Sequence, residues 1–195
     1  MSDRALAALL REVRACQVCA AHLPLGPRPV LRATASARLL LIGQAPGTKV
    51  HESGIPWNDR SGDRLREWLQ LDRDVFYDES RVAIVPMGFC YPGVDATGGD
   101  RPPRRECAPL WHARVLQRLP NIELTLLVGG YAQKYYLGDG CAATMTETVH
   151  RWRAHAPGFI PLPHPSWRNT GWLKRNPWFS SELLPSLRES VRSLL

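Results

Sequence analysis

The cysteines are the residues of this sequence most suited to metal chemistry. Cys16 and Cys19 form a Cys-x-x-Cys pair, and Cys90 and Cys107 flank a segment rich in glycine and proline. Thiolates bind soft metals and iron–sulfur clusters, and four of them can complete such a site. The spacing predicts a metal or cluster site and leaves zinc, iron–sulfur and four unrelated buried thiols as alternatives. Cys141 has no partner in this scheme and is interpreted as a lone thiol.

A glycine- and proline-rich loop is the second feature that could do chemistry. Residues 38–42 are a short apolar run, and residues 43–47 read Gly-Gln-Ala-Pro-Gly before a predicted helix. Glycine and proline let the backbone turn sharply and approach a ligand closely. Ser61 and Asp63 are both candidate N-caps for the helix, which we expect to run from Asp63. The pattern predicts a ligand site at the end of a strand, with a structural turn as the alternative.

A histidine between two prolines is the third feature. His164 lies between Pro163 and Pro165, directly after the predicted strand 159–162. Histidine is the side chain that exchanges protons near neutral pH. Because a histidine in this position has no evident structural purpose, the pattern favours a functional one. Residues 167–179 that follow are basic and aromatic.

Four apolar runs must position these residues. They lie at residues 38–42, 81–85, 124–128 and 159–162, and helical patterns separate them. Short apolar runs without alternation are typical of strands that are covered on both faces. Strands separated by helices predict a parallel sheet with helices on each side. We therefore expect a three-layer α/β/α fold with a central four-stranded, mostly parallel sheet, as a single domain over residues 1–195.

Composition bounds the class of protein. The chain of 195 residues is 44% hydrophobic and 22% charged, which is typical of a globular protein. A net charge of +7 indicates an anionic partner, most often nucleic acid, unless the charge serves only solubility. The start of the sequence reads as an amphipathic helix and not a signal peptide, and no apolar run reaches the roughly 20 residues that span a bilayer. We expect a cytoplasmic protein without disulfides.

Taken in order, these motifs resemble the uracil-DNA glycosylase superfamily, most closely its bacterial iron–sulfur branch. The resemblance covers nearly the whole chain: the early cysteine pair, the loop 43–47, Gly-Ile-Pro-Trp at 54–57, the later cysteines, and His-Pro-Ser at 164–166. It implies flipping of a damaged base out of DNA and hydrolysis of its N-glycosidic bond. It also implies a monomer that acts at the bacterial nucleoid, with a 4Fe–4S cluster, or zinc as the alternative, on Cys16, Cys19, Cys90 and Cys107.

The resemblance assigns roles to residues around the flipped base. Trp57 stands where the family stacks an aromatic residue on the base, although a core tryptophan is the alternative. His164 would stabilise the anion of the departing base by donating a hydrogen bond. Gln44 and Ala45 would complete the base-binding wall, and Gln44, which is neutral and cannot act as a general base, would also take part in catalysis by orienting a water.

The resemblance also assigns residues to the DNA backbone. Two serines and two glycines would grip phosphates, and the segment after the His-Pro-Ser motif would insert an apolar wedge into the duplex. A packed C-terminal tail is the alternative for the basic and aromatic run. The residues assigned to DNA binding are Gly47, Ser61, Gly62, Ser166, Trp167 and Arg168.

The loop 43–47 departs from the family where a carboxylate is expected. The best-known branch has an aspartate where this chain has Ala45, and the iron–sulfur branch has a glutamate where this chain has Gln44. A carboxylate that acts as general base on the attacking water must then come from elsewhere in the chain. Asp59 is the candidate, because its segment resembles the one from which another branch supplies its catalytic aspartate; a turn-forming aspartate is the alternative. Glu52 and His51 are reserves.

A second departure concerns substrate choice. Pro86 falls where related enzymes read the uracil edge with an asparagine, and proline has no side-chain hydrogen bond and no amide donor. Strict uracil selectivity is therefore not expected, and xanthine or hypoxanthine become candidate bases. Lys49 is the single lysine of residues 38–69, which contain the loop 43–47. We therefore expect a monofunctional DNA glycosylase that forms no Schiff base. The alternatives are a catalytically silent protein that binds damaged DNA and a covalent trap through His51.

Overall fold

The central sheet follows from the four apolar runs. The computed structural model describes residues 3–195. Its strands are β1 (Leu39–Ile42), β2 (Val82–Ile84), β3 (Leu124–Val128) and β4 (Phe159–Leu162), all parallel and in the order β2-β1-β3-β4. The prediction of a four-stranded sheet is confirmed, and every pairing in it is parallel.

Alternation along the strands divides the interior into two cores. Leu39 and Leu41 enter one core, whereas Leu40 and Ile42 enter the other, because successive side chains of a strand point to opposite faces. Every residue of β1 is fully buried. This burial on both faces explains why the strands read as unbroken apolar runs rather than as alternating ones.

Helices cover both faces of the sheet and complete the three layers. Apolar residues of α1 and α5 close one core, and those of α3 and α9 close the other. Among residues 3–195, no helix has the length and apolar character that crossing a bilayer would require. The helices are α1 (Asp3–Arg14), α2 (Thr48–Ser53), α3 (Arg60–Leu69), α4 (Arg73–Tyr77), α5 (Cys107–Leu116), α6 (Gly130–Leu137), α7 (Met145–His150), α8 (Thr170–Arg175) and α9 (Leu184–Leu194).

The start of α3 differs from the prediction. The helix begins at Arg60 and its N-cap is Asp59, whose Oδ1 accepts a hydrogen bond from the Gly62 amide at 2.8 Å. Predicting Ser61 or Asp63 as the cap, and a helix from Asp63, was wrong. The reason is the extended backbone of Asp59 (φ −152°), which places its carboxylate over the first turn and leaves the other two residues inside that turn.

The glycine- and proline-rich segment after β2 is more ordered than a simple surface excursion. Val94 and Asp100 form an antiparallel bridge. The Asp95 carboxylate closes the turn between them by accepting hydrogen bonds from the Thr97 and Gly99 amides at 2.8 and 2.9 Å. This Asp95 turn, residues 94–100, is therefore a small hairpin held together by main-chain hydrogen bonds and by the Asp95 side chain.

Candidate functional site

A cavity of about 200 Å³ lies at the carboxyl end of the sheet. The loop 43–47 after β1, Pro86 after β2 and the segment 164–168 after β4 all line it, as does Trp57. Parallel strands end at the same edge, so the residues that follow them converge there. The volume is below the roughly 300–1,000 Å³ of pockets for drug-sized ligands, which suits a single ring system.

Trp57 and His164 lie next to each other in the wall of this cavity. Their ring centroids are 5.6 Å apart, with the planes inclined by 36°. A Cβ at Gly43 would lie 2.7 Å from Cζ2 of the indole, so the glycine lets the ring rest against the loop. Trp57 itself has a φ of +57°, in the left-handed region that a bulky residue rarely adopts. The surrounding packing therefore holds this side chain in place against a local preference.

His164 is half-buried, and its charge state depends on its surroundings. Burial lowers its pKa, and the negative charges of Asp59 and Asp100 oppose that effect without cancelling it. The net direction favours the neutral imidazole at neutral pH, which retains one N–H donor. The His164 carbonyl accepts a hydrogen bond from the Asn169 side chain at 2.7 Å, which secures the turn that carries the ring.

Asp59, the carboxylate that the sequence analysis predicted to be catalytic, lies on the cavity wall. Asp59 is half-buried, lines the cavity, and is close enough to His164 to influence its charge. It also caps α3 through the Gly62 amide. The two interpretations of this residue, turn former and functional carboxylate, are compatible because the carboxylate has two oxygens.

Gln44 is in the cavity wall but is not free. Its side-chain Nε2 donates a hydrogen bond to the Arg101 carbonyl at 3.3 Å, and its main-chain carbonyl accepts one from the Gly88 amide at 2.9 Å. The side chain thus connects the loop 43–47 to the residue that follows the Asp95 turn. Ala45 and Pro86 line the same cavity and supply no side-chain polar group.

Sequence reasoning missed Asp100. This exposed residue lines the cavity although it lies far along the chain, in the Asp95 turn. Nothing in its local pattern, Gly-Gly-Asp within a segment of turns, separates it from a solvated loop residue. Only the contacts between that turn and the rest of the protein bring it to the site.

The residues assigned to DNA are at the rim of the cavity or beneath it. Trp167 is 71% exposed, and the Arg168 guanidinium carbon lies 5.8 Å from the centre of its ring. Ser166 caps the following turn by accepting a hydrogen bond from the Arg168 amide at 3.1 Å. Gly62 is buried below Trp57, and its amide is already bound to Asp59. Gly47, Ser61, Ser166, Trp167 and Arg168 all line the cavity.

The reserve residues lie apart from the cavity. Of the residues of α2 that the structure describes, Val50 lines the cavity, whereas Lys49, His51 and Glu52 do not. His51 instead packs near Tyr91, with ring centroids 5.9 Å apart. The arrangement gives no support to His51 as a nucleophile toward a sugar in the cavity.

The four predicted cysteine ligands line a second, shared cavity. It lies between the end of α1 and the start of α5, and Cys141 is outside it. The Phe89 amide donates a hydrogen bond to Sγ of Cys107 at 3.4 Å. Burial, with smaller contributions from the neighbouring cysteines, raises the pKa of Cys107 to about 12 and that of Cys90 to about 11.

The donor set has the chemistry of a thiolate-bound group but not a compact arrangement around one ion. Within residues 3–195, no three His, Cys, Asp or Glu side chains form a group that could hold a metal ion. Four thiols around one cavity fit ligation in number and kind, because soft metals and clusters take sulfur ligands. A positive group between them would stabilise the thiolates against the burial that now favours their neutral form.

A comparison with known families bears on the first cavity. A family model described as the uracil DNA glycosylase superfamily matches residues 32–188. The matched span contains all four strands and all but one of the residues that line the Trp57–His164 cavity, Val30 being the exception. It excludes Cys16 and Cys19. A match over most of the chain shows the family: this protein belongs to the uracil DNA glycosylase superfamily.

Proposed function

We propose that this protein is a monofunctional DNA glycosylase that flips a deaminated base out of DNA and hydrolyses its N-glycosidic bond. The observation that carries the proposal is that Trp57 and His164 lie side by side in the wall of a cavity the size of one ring system, at the carboxyl end of the sheet. A base cannot be reached inside the stack, so an enzyme acting on it needs such a pocket.

The base would be bound by an aromatic face and by a hydrogen-bond donor beside it. The indole of Trp57 supplies the face, since base–aromatic stacking is tolerant of base identity. His164 would donate its remaining N–H to the base as the glycosidic bond breaks and negative charge develops there. A neutral imidazole suits this role because its one N–H can donate a hydrogen bond to the anion without any prior change in protonation.

A carboxylate is needed on the other side of the scissile bond. Water must lose a proton as it attacks the sugar, and the sugar carries positive charge as the base departs. Asp59 on the cavity wall supports the second need through its charge. Its bond to the Gly62 amide holds it in place beside Trp57.

The DNA backbone would be held at the rim. Trp167, largely exposed, is suited to enter the stack in place of the flipped base, and Arg168 beside it adds positive charge. Ser61, Ser166 and the amide of Gly47 would contact phosphates. We further propose that the protein acts as a monomer on DNA of the bacterial nucleoid, in the cytoplasm.

The wall opposite the base would not select uracil strictly. Pro86 presents a carbonyl, and that oxygen already accepts a hydrogen bond from Nε2 of His112 at 3.0 Å. With no side-chain donor from Pro86 or Ala45, the base edge is read by few groups. Uracil, xanthine and hypoxanthine are therefore the substrates to compare.

We also propose a 4Fe–4S cluster on Cys16, Cys19, Cys90 and Cys107, which would join the N-terminal helix to α5 and serve as a structural brace. The four sulfurs around one cavity support ligation, and four thiolates are the usual ligands of such a cluster. Protein purified without oxygen should be brown and contain iron. Colourless protein with stoichiometric zinc would overturn the proposal.

One experiment separates the enzyme from a catalytically silent protein that binds damaged DNA. The protein is incubated with single- and double-stranded oligonucleotides that carry uracil, xanthine or hypoxanthine, and free base is measured by mass spectrometry. We expect release that falls by about 100-fold or more in His164→Ala, as when an enzyme loses a donor to a developing anion. Salt-dependent binding to these oligonucleotides without release from any of them would favour the silent protein, for which the absence of a carboxylate at Ala45 argues.

A further inference from the structure

The loop that carries the family's carboxylate has none in this chain, because Gln44 and Ala45 occupy its positions. Two carboxylates nevertheless line the cavity, Asp59 and Asp100. They come from different parts of the chain, the first from the cap of α3 and the second from the Asp95 turn. The two are not equivalent in their contacts.

Asp59 is committed to a structural bond. Its Oδ1 accepts the Gly62 amide and thereby caps α3. The Asp100 carboxylate accepts no side-chain or main-chain hydrogen bond from any residue between 3 and 195. An exposed carboxylate on the cavity wall, with both oxygens free, is the better acceptor for a proton from water.

The Asp95 turn is built to hold Asp100 at this place. The backbone of Asp100 is bridged to Val94, and the Arg101 amide donates to the Gly93 carbonyl at 2.9 Å. The Asp95 carboxylate closes the turn from inside through the Gly99 amide. A residue in such a closed hairpin has little backbone freedom.

Two residues of the candidate site fasten this hairpin to the cavity. Gln44 donates to the Arg101 carbonyl at 3.3 Å, one residue beyond Asp100. Arg168 donates to the Gly98 carbonyl at 3.0 Å, two residues before it. The residues before and after Asp100 are therefore held by hydrogen bonds from two side chains that line the cavity. Its charge acts on His164, together with that of Asp59, and all three residues line the cavity.

We infer that Asp100 is the general base of the proposed hydrolysis and that Gln44, in place of the family's carboxylate, is a positioning residue for it. In this step a water oxygen bonds to C1′ of the deoxyribose while the bond from C1′ to the base breaks, and the electron pair leaves with the base. Asp100 accepts the proton that the water loses. The base anion, held by His164, is then protonated from solvent. Asp59 stabilises positive charge on the sugar and caps α3.

This inference rests on the proposed function, and its test measures two quantities on the best lesion of the panel. These are the single-turnover rate constant of base release and the dissociation constant for the same oligonucleotide. Asp100→Asn is expected to slow release by about 100-fold or more, the size of a general-base contribution, while affinity is unchanged or higher. Asp139→Asn, an exposed aspartate after α6, is the matched control and should leave both quantities unchanged.

The positioning role of Gln44 has its own readout. Gln44→Ala should slow release in the wild-type background but cause little further loss when combined with Asp100→Asn, because residues that act as a unit are not additive. Wild-type rates in Asp100→Asn would overturn the role of Asp100 and leave the glycosylase proposal intact. A wild-type protein that releases no base from any lesion would overturn both.

Discussion

Gly62 lies directly against the main-chain carbonyl of Trp57, so close that an added Cβ would be 1.7 Å from that oxygen. The contact connects the first turn of α3 to the aromatic wall of the cavity. It explains how the unusual backbone of Trp57 is maintained: a glycine in the helix leaves room for it, and the Asp59 cap holds the helix end beside it.

Gly62→Ala should therefore damage both folding and the site. Because the clash is with the backbone, α3 or the Trp57 segment must shift, and we expect a loss of about 1–3 kcal/mol in the free energy of unfolding, as in overpacked cores. Urea denaturation measures the loss, and base release should fall with it. Gly171→Ala in α8 is the control, since its Cβ would meet only the Arg175 side chain at 3.5 Å. An alanine at position 62 as stable as wild type would contradict this account.

Trp167→Ala should weaken binding to lesion-bearing duplex DNA more than binding to the same single strand. An exposed indole that fills the gap left by the flipped base contributes a stacking energy of about 1–3 kcal/mol, or roughly 10- to 100-fold in affinity. A single strand has no partner stack to replace, so its affinity depends less on this residue. Fluorescence anisotropy with both oligonucleotides tests the difference. Leu25→Ala, an apolar residue that is 54% exposed and outside the cavity, should change neither value.

His112 should make folding stability depend on acid. Burial lowers its pKa from 6.5 to about 4, and the neutral ring donates from Nε2 to the Pro86 carbonyl while Nδ1 faces the Tyr136 hydroxyl. The unfolded state takes up the proton first as pH falls. The stabilisation is complete above about pH 6.5 and declines between there and pH 4, by about 3 kcal/mol in total.

Urea denaturation between pH 4 and pH 7 checks this slope. In His112→Gln the part of the decline due to this residue should vanish, even if the variant is less stable at neutral pH. His22→Gln, at an exposed histidine, should keep the wild-type slope. An unchanged slope in His112→Gln would show that other groups govern the acid response.

Cys107→Ser should remove the proposed cluster and the brace that it provides. Cys107 begins α5 and lines the shared cavity, so a missing ligand there should release iron and lower the free energy of unfolding by more than about 2 kcal/mol. Iron content and the visible absorption of anaerobic protein measure the first effect, and denaturation measures the second. Cys141→Ser should retain iron, colour and stability. Equal iron in both variants would contradict the assignment of Cys107.

Local pattern alone determined the architecture. Four apolar runs became four parallel strands, because residues that are covered on both faces must be apolar whatever their neighbours in space are. The same holds for the loop 43–47 and for His164, since each directly follows a strand, and strand ends meet at one edge of a parallel sheet. That they share one cavity was predicted from the resemblance to the family, and the meeting of the strand ends is the physical reason.

Only the tertiary structure decided which polar groups of that cavity are free. Asp59 was predicted as a catalytic residue but not as the N-cap of α3. Capping depends on the backbone angles that the chain adopts after Trp57. Asp100 has no local signal at all and reaches the cavity through hydrogen bonds from Gln44 and Arg168 to its hairpin. Periodicity records burial, which is a property of one segment; a hydrogen bond between distant loops depends on where both segments lie, and only the folded chain specifies that.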